Sequence, residues 1–127
     1  QDVALFICAH THKPLVRRLG DMQIINVGSV GSPFDGDARA CYARLELRDG
    51  RWHARILRLP YDRARTARDF RDSGFLDQGG PLARIIFEEW RSARLLMPSW
   101  HRNYRQAVRG GEIALERAVT EFLRSLD

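Results

Sequence analysis

Val3-Ala4-Leu5-Phe6-Ile7-Cys8-Ala9-His10-Thr11-His12-Lys13-Pro14 sets the frame for everything that follows it in the chain. Its first six residues are apolar and uncharged, which reads as a strand buried on both faces, with the histidines emerging where that strand leaves the sheet. Ligand chemistry in α/β sheets collects at such strand ends. In extended backbone, residues i and i+2 share a side, so His10 and His12 are expected to face one way and Thr11 the other. Two neutral imidazoles side by side have the chemistry of metal ligands. The spacing alone leaves the alternative open, a strand-end histidine hydrogen-bonded in place.

Working outward, Pro14 to Leu19 and Met22 to Val27 are apolar-rich runs flanking Gly20-Asp21, the pattern of a hairpin. Beyond it lies Ile24-Ile25-Asn26-Val27-Gly28-Ser29-Val30-Gly31-Ser32-Pro33-Phe34-Asp35-Gly36-Asp37. Gly28, Gly31 and Gly36 with Pro33 make a loop whose amides could hold a phosphate; the alternative is a tight structural crossing beneath the histidines. Asp35 and Asp37 are the nearest carboxylates, suited either to local turns or to touching substrate or an imidazole.

Together these segments resemble the calcineurin-like metallophosphoesterase superfamily. In its small prokaryotic phosphodiesterase branch the last metal motif is Gly-His-Thr-His followed by a proline, then a strand and Asn-Pro-Gly-Ser-Val-Gly. The matching residues are Ala9-His10-Thr11-His12 with Pro14, then Asn26-Val27-Gly28-Ser29-Val30-Gly31, and the resemblance spans about residues 3 to 62. Ala9 stands for the usual glycine and Val27 for the usual proline. None of the family's earlier motifs, an Asp-x-His, a Gly-Asp, a Gly-Asn-His-Asp/Glu and a further lone histidine, precedes the histidine motif, and His53 and His101 lie downstream of it in unrelated contexts; the resemblance therefore implies the C-terminal half of such a domain.

What the resemblance implies is an α/β (α+β) fold, the C-terminal half of a four-layer αββα sandwich followed by a helical extension. It implies two divalent metal ions (Mn, Fe, Zn, Ni or Mg) about 3.5 to 4 Å apart, sharing a hydroxide that attacks phosphorus. His10 would ligate one metal and His12 the other, with Asn26, Gly28 and Ser29 as substrate-binding candidates. The substrate would be a small phosphate ester or phosphodiester. Two histidines cannot supply two metal sites, so this chain alone is expected to be inactive without the missing N-terminal half.

Composition is compatible with that reading. The chain has 127 residues, 44% of them hydrophobic, and a mean hydropathy of -0.40, which place it among globular proteins. No membrane-spanning segment or leader is apparent, and a cytoplasmic location is expected. Cys8 and Cys41 read as small core residues in a reducing compartment, although a disulfide between them is compatible with the sequence. A net charge of +5 raises nucleic acid as a partner. Arg63, Arg65, Arg68 and Arg71 alternate with Asp62, Asp69 and Asp72, however, as on a solvated helix face, and nucleic acid is not expected as a stable partner.

The rest of the chain divides into sheet and helix. Residues 41 to 48 alternate, with Cys41, Ala43, Leu45 and Leu47 on the buried face, and Asp49-Gly50 turns the chain into a partner strand, Arg51 to Leu59. Trp52, Ala54 and Ile56 share one face of that strand, leaving His53 with Arg55 towards solvent. The expected division is a sheet portion at 1–62 and C-terminal helices at 63–127. Thr66-Ala67-Arg68-Asp69 has the form of a capping box, with a helix start already near Asp62 as the alternative, and Gly74 is the expected stop. A stronger helix should carry Leu82, Ile85, Ile86, Trp90, Ala93 and Met97 on one stripe and end at Pro98. A short helix is expected from Trp100 to Val108, and a last one from Glu112 with Leu115, Ala118, Val119, Phe122 and Leu126 inward. His101 has no ligand spacing. Such stripes are packing surface or, alternatively, a homo-oligomer interface. A non-catalytic interaction or oligomerisation module is the rival functional class.

Overall fold

The computed structural model describes residues 3–126. It is a mixed α and β structure with two small sheets and five helices among those residues. The chain divides into two compact units, Gln1–Tyr61 and Asp62–Asp127.

In the first unit, β1 (Leu5–Cys8), β2 (Leu15–Leu19) and β3 (Met22–Asn26) form a sheet in the order β1-β3-β2. β1 pairs parallel with β3 from Leu5↔Gln23 to Cys8↔Asn26, and β2 pairs antiparallel with it from Leu15↔Asn26 to Leu19↔Met22. Gly20, at φ 58, starts the two-residue turn, a backbone region in which glycine has no steric penalty. As the central strand, β3 holds the fully buried Ile25 and the buried Asn26. β1 does not meet the expectation of burial on both faces: Phe6 is 52% and Ile7 51% exposed. It is an edge strand with β3 as its one neighbour among the described residues. Apolar composition states what a strand would gain from cover, not whether cover is present.

β4 (Ala40–Arg48) and β5 (Arg51–Leu59) form the second sheet, in register from Ala40↔Leu59 to Arg48↔Arg51. Asp49 and Gly50 both have positive φ, 49 and 72, as a type I′ turn requires. Cys41 is buried and Ala43 and Leu45 half-buried on the inward face, while Leu47, opposite Trp52 near the hairpin tip, is exposed. Both cysteines are free thiols: Cys8 Sγ donates to the Ile25 carbonyl at 3.3 Å and Cys41 Sγ to the Val27 carbonyl at 3.5 Å.

The second unit holds α1 (Arg63–Asp72), α2 (Phe75–Gln78), α3 (Leu82–Ser92), α4 (Met97–Arg109) and α5 (Leu115–Arg124). Asp62, not Thr66, caps α1, its carboxylate accepting from the Arg65 amide at 2.8 Å. The Thr66 hydroxyl is turned back to the Asp62 carbonyl at 3.2 Å, so the expected capping box does not form. Gly74, at φ 77, separates α1 from α2, a four-residue helix that the sequence pattern did not indicate.

α3 ends at Ser92, well before Pro98. Ala93 adopts φ 54, and the carboxylate of the buried Glu89 then accepts from the amides of Leu96 at 2.8 Å and Met97 at 2.7 Å. Those are the otherwise unpaired donors at the start of α4, and Pro98, lacking an N–H, fits the first turn of that helix instead of ending the previous one. Within α3, Ile86 lies off the buried stripe at 41% exposure, while Ile85, Glu89 and Trp90 are on it. α5 begins at Leu115, since Ala114 is still extended, and it buries Ala118, Val119 and Phe122 as its pattern implies. These three meet Ile85, Leu96 and Trp100 in one apolar core.

The arginines of α1 are not uniformly a solvated face. Arg63 donates to the carbonyls of Trp90 at 3.1 Å and Arg91 at 2.9 Å, at the C-terminal end of α3, and lies over the Trp90 ring at 4.7 Å. Arg71 lies 5.7 Å from the centre of the Phe87 ring, whereas Arg65 and Arg68 are exposed.

Candidate metal-binding loop

Strand order dictates where the histidines sit. Because β3 lies between β1 and β2, residues 9 to 14 must cross two strand spacings, about 10 Å, over the C-terminal end of β3. Asn26 ends β3 and supports that crossing. Its Nδ2 donates to the Ala9 carbonyl at 2.9 Å and to Thr11 Oγ1 at 3.0 Å, and its Oδ1 accepts from the Gly28 amide at 3.0 Å.

The loop is bent, not extended as the sequence implied. β1 stops at Cys8, and His10 and His12 have φ 71 and 57, both in the left-handed region. The Thr11 amide donates to the Ala9 carbonyl at 2.9 Å, closing a tight turn between the two histidines. The alternation argument for a shared face therefore does not apply to them, because it presumes strand backbone through residue 12.

His12 is held from three sides. Its Nδ1 donates to the Ser32 carbonyl at 2.7 Å, and its ring stacks on Phe34 at 4.8 Å with an interplanar angle of 22°. The Phe34 amide donates to the His12 carbonyl at 3.2 Å. A proton on Nδ1 leaves Nε2 of the neutral ring with its lone pair free, the arrangement found around metal-ligating histidines. His10 is exposed and makes no hydrogen bond among the described residues. Sequence reasoning missed Ser32 and Phe34; the only signal was their place in the glycine-rich loop that follows the motif.

The three substrate-binding candidates are committed to framework contacts. Asn26 is buried, with the hydrogen bonds given above. Gly28, at φ 76, lies so near Cys41 that a Cβ there would come within 2.6 Å of its Sγ. Ser29 Oγ accepts from the Ser32 amide at 3.0 Å, and its carbonyl accepts from the Cys41 amide at 3.0 Å. Burial pushes the Cys41 thiol pKa up.

Neither nearby aspartate is hydrogen-bonded to a histidine. Asp35 pairs with Arg58, whose guanidinium also donates to the Asp37 carbonyl at 3.1 Å. Asp37 pairs with Arg39 at 2.6 Å and accepts from the Arg39 amide at 3.1 Å, which holds its carboxyl well below the usual carboxylate range. His53 is exposed opposite Glu46, and the His101 ring lies 5.4 Å from that of Trp100. Among the described residues no three His, Cys, Asp or Glu side chains converge as a metal-holding group. No helix among them is long and apolar enough to cross a membrane. No protein-family profile, curated protein or solved structure was found to match the chain.

Proposed function

We propose that this chain is the C-terminal part of a dinuclear metallophosphoesterase, hydrolysing a small phosphate ester or phosphodiester, most directly a phosphodiester. The observation that carries the reading is the 2.7 Å bond from His12 Nδ1 to the Ser32 carbonyl. It fixes the tautomer a metal needs at Nε2, and it does so within the loop that bears the resembling motif. The exposed His10 fits a second ligand position. In this reading the remaining ligands come from polypeptide outside this chain, and the sheet portion is part of the αββα sandwich. The half-exposed Phe6 and Ile7 on an edge strand support a sheet that continues on that side.

His10 and His12 would each hold one of two divalent metals. When bound, such metals neutralise phosphoryl oxygens and acidify water. The residues of this chain contribute orientation: Ser32 and Phe34 fix the His12 ring, and Asn26 fixes the loop between the two histidines. A reducing, cytoplasmic setting accords with two free thiols.

The test is elemental analysis of this chain and of the polypeptide extended upstream through its gene, with bis-aryl phosphate hydrolysis measured alongside. About two transition metals per extended chain, with metal and turnover both lost in His10→Ala, is the expected result. A metal-free, inactive extended protein would sink the proposal and favour the non-catalytic interaction module. Nitrogen NMR of His12 provides a readout independent of activity. Nε2 should be the unprotonated nitrogen in the neutral ring, and the Nε2 resonance should move on adding zinc to the extended protein.

A further inference from the structure

The β4–β5 ribbon sorts charges that look interleaved in the sequence. Strand alternation places Tyr42, Arg44, Glu46 and Arg48 on one face of β4, and the register sets Arg44 opposite Arg55, Glu46 opposite His53 and Arg48 opposite Arg51. Two like-charged pairs thus stand directly across the strands, an arrangement that disfavours the hairpin. Glu46 is the one carboxylate among them. It pairs with Arg44 at 2.9 Å and also with Arg48. Arg51 and Arg55 have no carboxylate partner among the described residues, and neither has Arg18 of β2, which lines the same hollow of about 260 Å³ with Arg44, Arg48 and Arg55.

We propose that this outer face is a docking surface for the phosphate backbone of single-stranded nucleic acid. Charge complementarity carries the assignment: four arginines around one carboxylate leave a net positive face, in which Glu46 is shared by Arg44 and Arg48 while Arg51 and Arg55 stay uncompensated. Their spacing selects a polymer. Arg44 and Arg48 stand four residues apart on β4, as do Arg51 and Arg55 on β5, so the corners are separated by about 13 Å along the strands. A single phosphate cannot span them, whereas a chain of phosphates can. Each guanidinium presents a planar fork that matches phosphate oxygens. Tyr42, 42% exposed and next along the same face, supplies a ring on which a base can stack. The surface is separate from the histidine loop, and the inference does not rest on the phosphoesterase reading.

The experiment is fluorescence anisotropy of the whole chain with a labelled 20-nucleotide oligothymidine, repeated across a salt series. With three to four phosphates engaged, log K should fall against log salt with a slope of about -2 to -3, a loss of roughly twenty- to fifty-fold between 50 and 200 mM salt. Arg44→Ala with Arg55→Ala should roughly halve that slope and weaken binding at least tenfold at 50 mM salt. Arg55→Ala alone should leave the thermal midpoint unchanged or raised, because it removes the repulsion across to Arg44 and leaves both Glu46 bridges in place; a lowered midpoint would contradict the arrangement on which the inference depends. Arg102→Ala with Arg105→Ala, on the exposed basic face of α4, should leave the slope unaltered. Absence of binding at 50 mM salt would overturn the proposal. So would an equal loss in the α4 variant, which would mean non-specific charge attraction. Preferential binding to phosphatidylserine vesicles, in competition with the oligonucleotide, would overturn it in favour of a lipid surface.

Discussion

Asn26 and Thr11 are joined by a 3.0 Å hydrogen bond that ties the end of the central strand to the residue between the two histidines. The same amide reaches the Ala9 carbonyl, and its oxygen takes the buried Gly28 amide. Asn26→Ala removes all three bonds and leaves a buried donor unpaired. It should cost about 2 to 4 kcal/mol in denaturant unfolding, with faster amide exchange through residues 9 to 13. A loss below about 0.5 kcal/mol would show that the loop is held by something else.

Gly28 and Cys41 form a second coupled pair. Gly28→Ala should destabilise the fold by about 2 to 4 kcal/mol, through left-handed backbone strain and the new Cβ meeting Cys41 Sγ. Combining it with Cys41→Ala should recover the steric part but not the strain. Strict additivity in that double-mutant cycle would contradict the close approach. Cys41 should also resist thiol reagents at pH 8 until the protein unfolds, since it is 1% exposed and burial raises its pKa.

Glu89 and Glu88 are neighbours with opposite roles. Glu89→Ala should cost about 2 to 4 kcal/mol, because it strips the acceptor from two amides at the start of α4, one of them buried. Glu88 pairs with Arg91 on the surface, and Glu88→Ala should cost no more than about 0.5 kcal/mol. Equal effects of the two substitutions, read from urea midpoints, would refute the capping role.

Asp37 provides a pH test. The Arg39 side chain, then the Arg39 amide, depress its folded pKa below the unfolded value of 3.8. A depressed carboxylate stabilises the folded state above its unfolded pKa, and that contribution disappears as pH falls through the folded value. Arg39→Ala should therefore raise the Asp37 midpoint towards 3.8 in a carbon-detected NMR titration. Its effect on stability should be present at neutral pH and vanish in strong acid. An unmoved midpoint would dismiss the pairing.

Legibility in the sequence followed the range of the interactions involved. Gly20-Asp21 and Asp49-Gly50 marked both hairpins correctly because a two-residue turn is decided by its own residues. The apolar face of α5 was equally plain. Pro98 was misread because a proline both ends one helix and opens another, and only the distant Glu89 carboxylate decides which. At the candidate site, the neighbouring histidines were legible. Their left-handed backbone was not, in a turn whose Ala9 and Thr11 are held by Asn26 from another strand, and neither was Ser32, twenty residues from His12. The arginines looked dispersed until cross-strand register gathered them.

The edge position of β1 also bears on how the polypeptide behaves in bulk. From Val3 to Ala9 there is no charge, proline or glycine, the composition of a segment that recruits identical strands into cross-β stacks. Native edge strands usually carry a lysine, a bulge or a proline to block such templated growth, and here the first such residues, Lys13 and Pro14, come only after the strand has ended. Concentrated solutions of this chain should therefore form fibrils seeded at Leu5–Cys8, and a single Phe6→Lys gatekeeper should lengthen the lag before they appear.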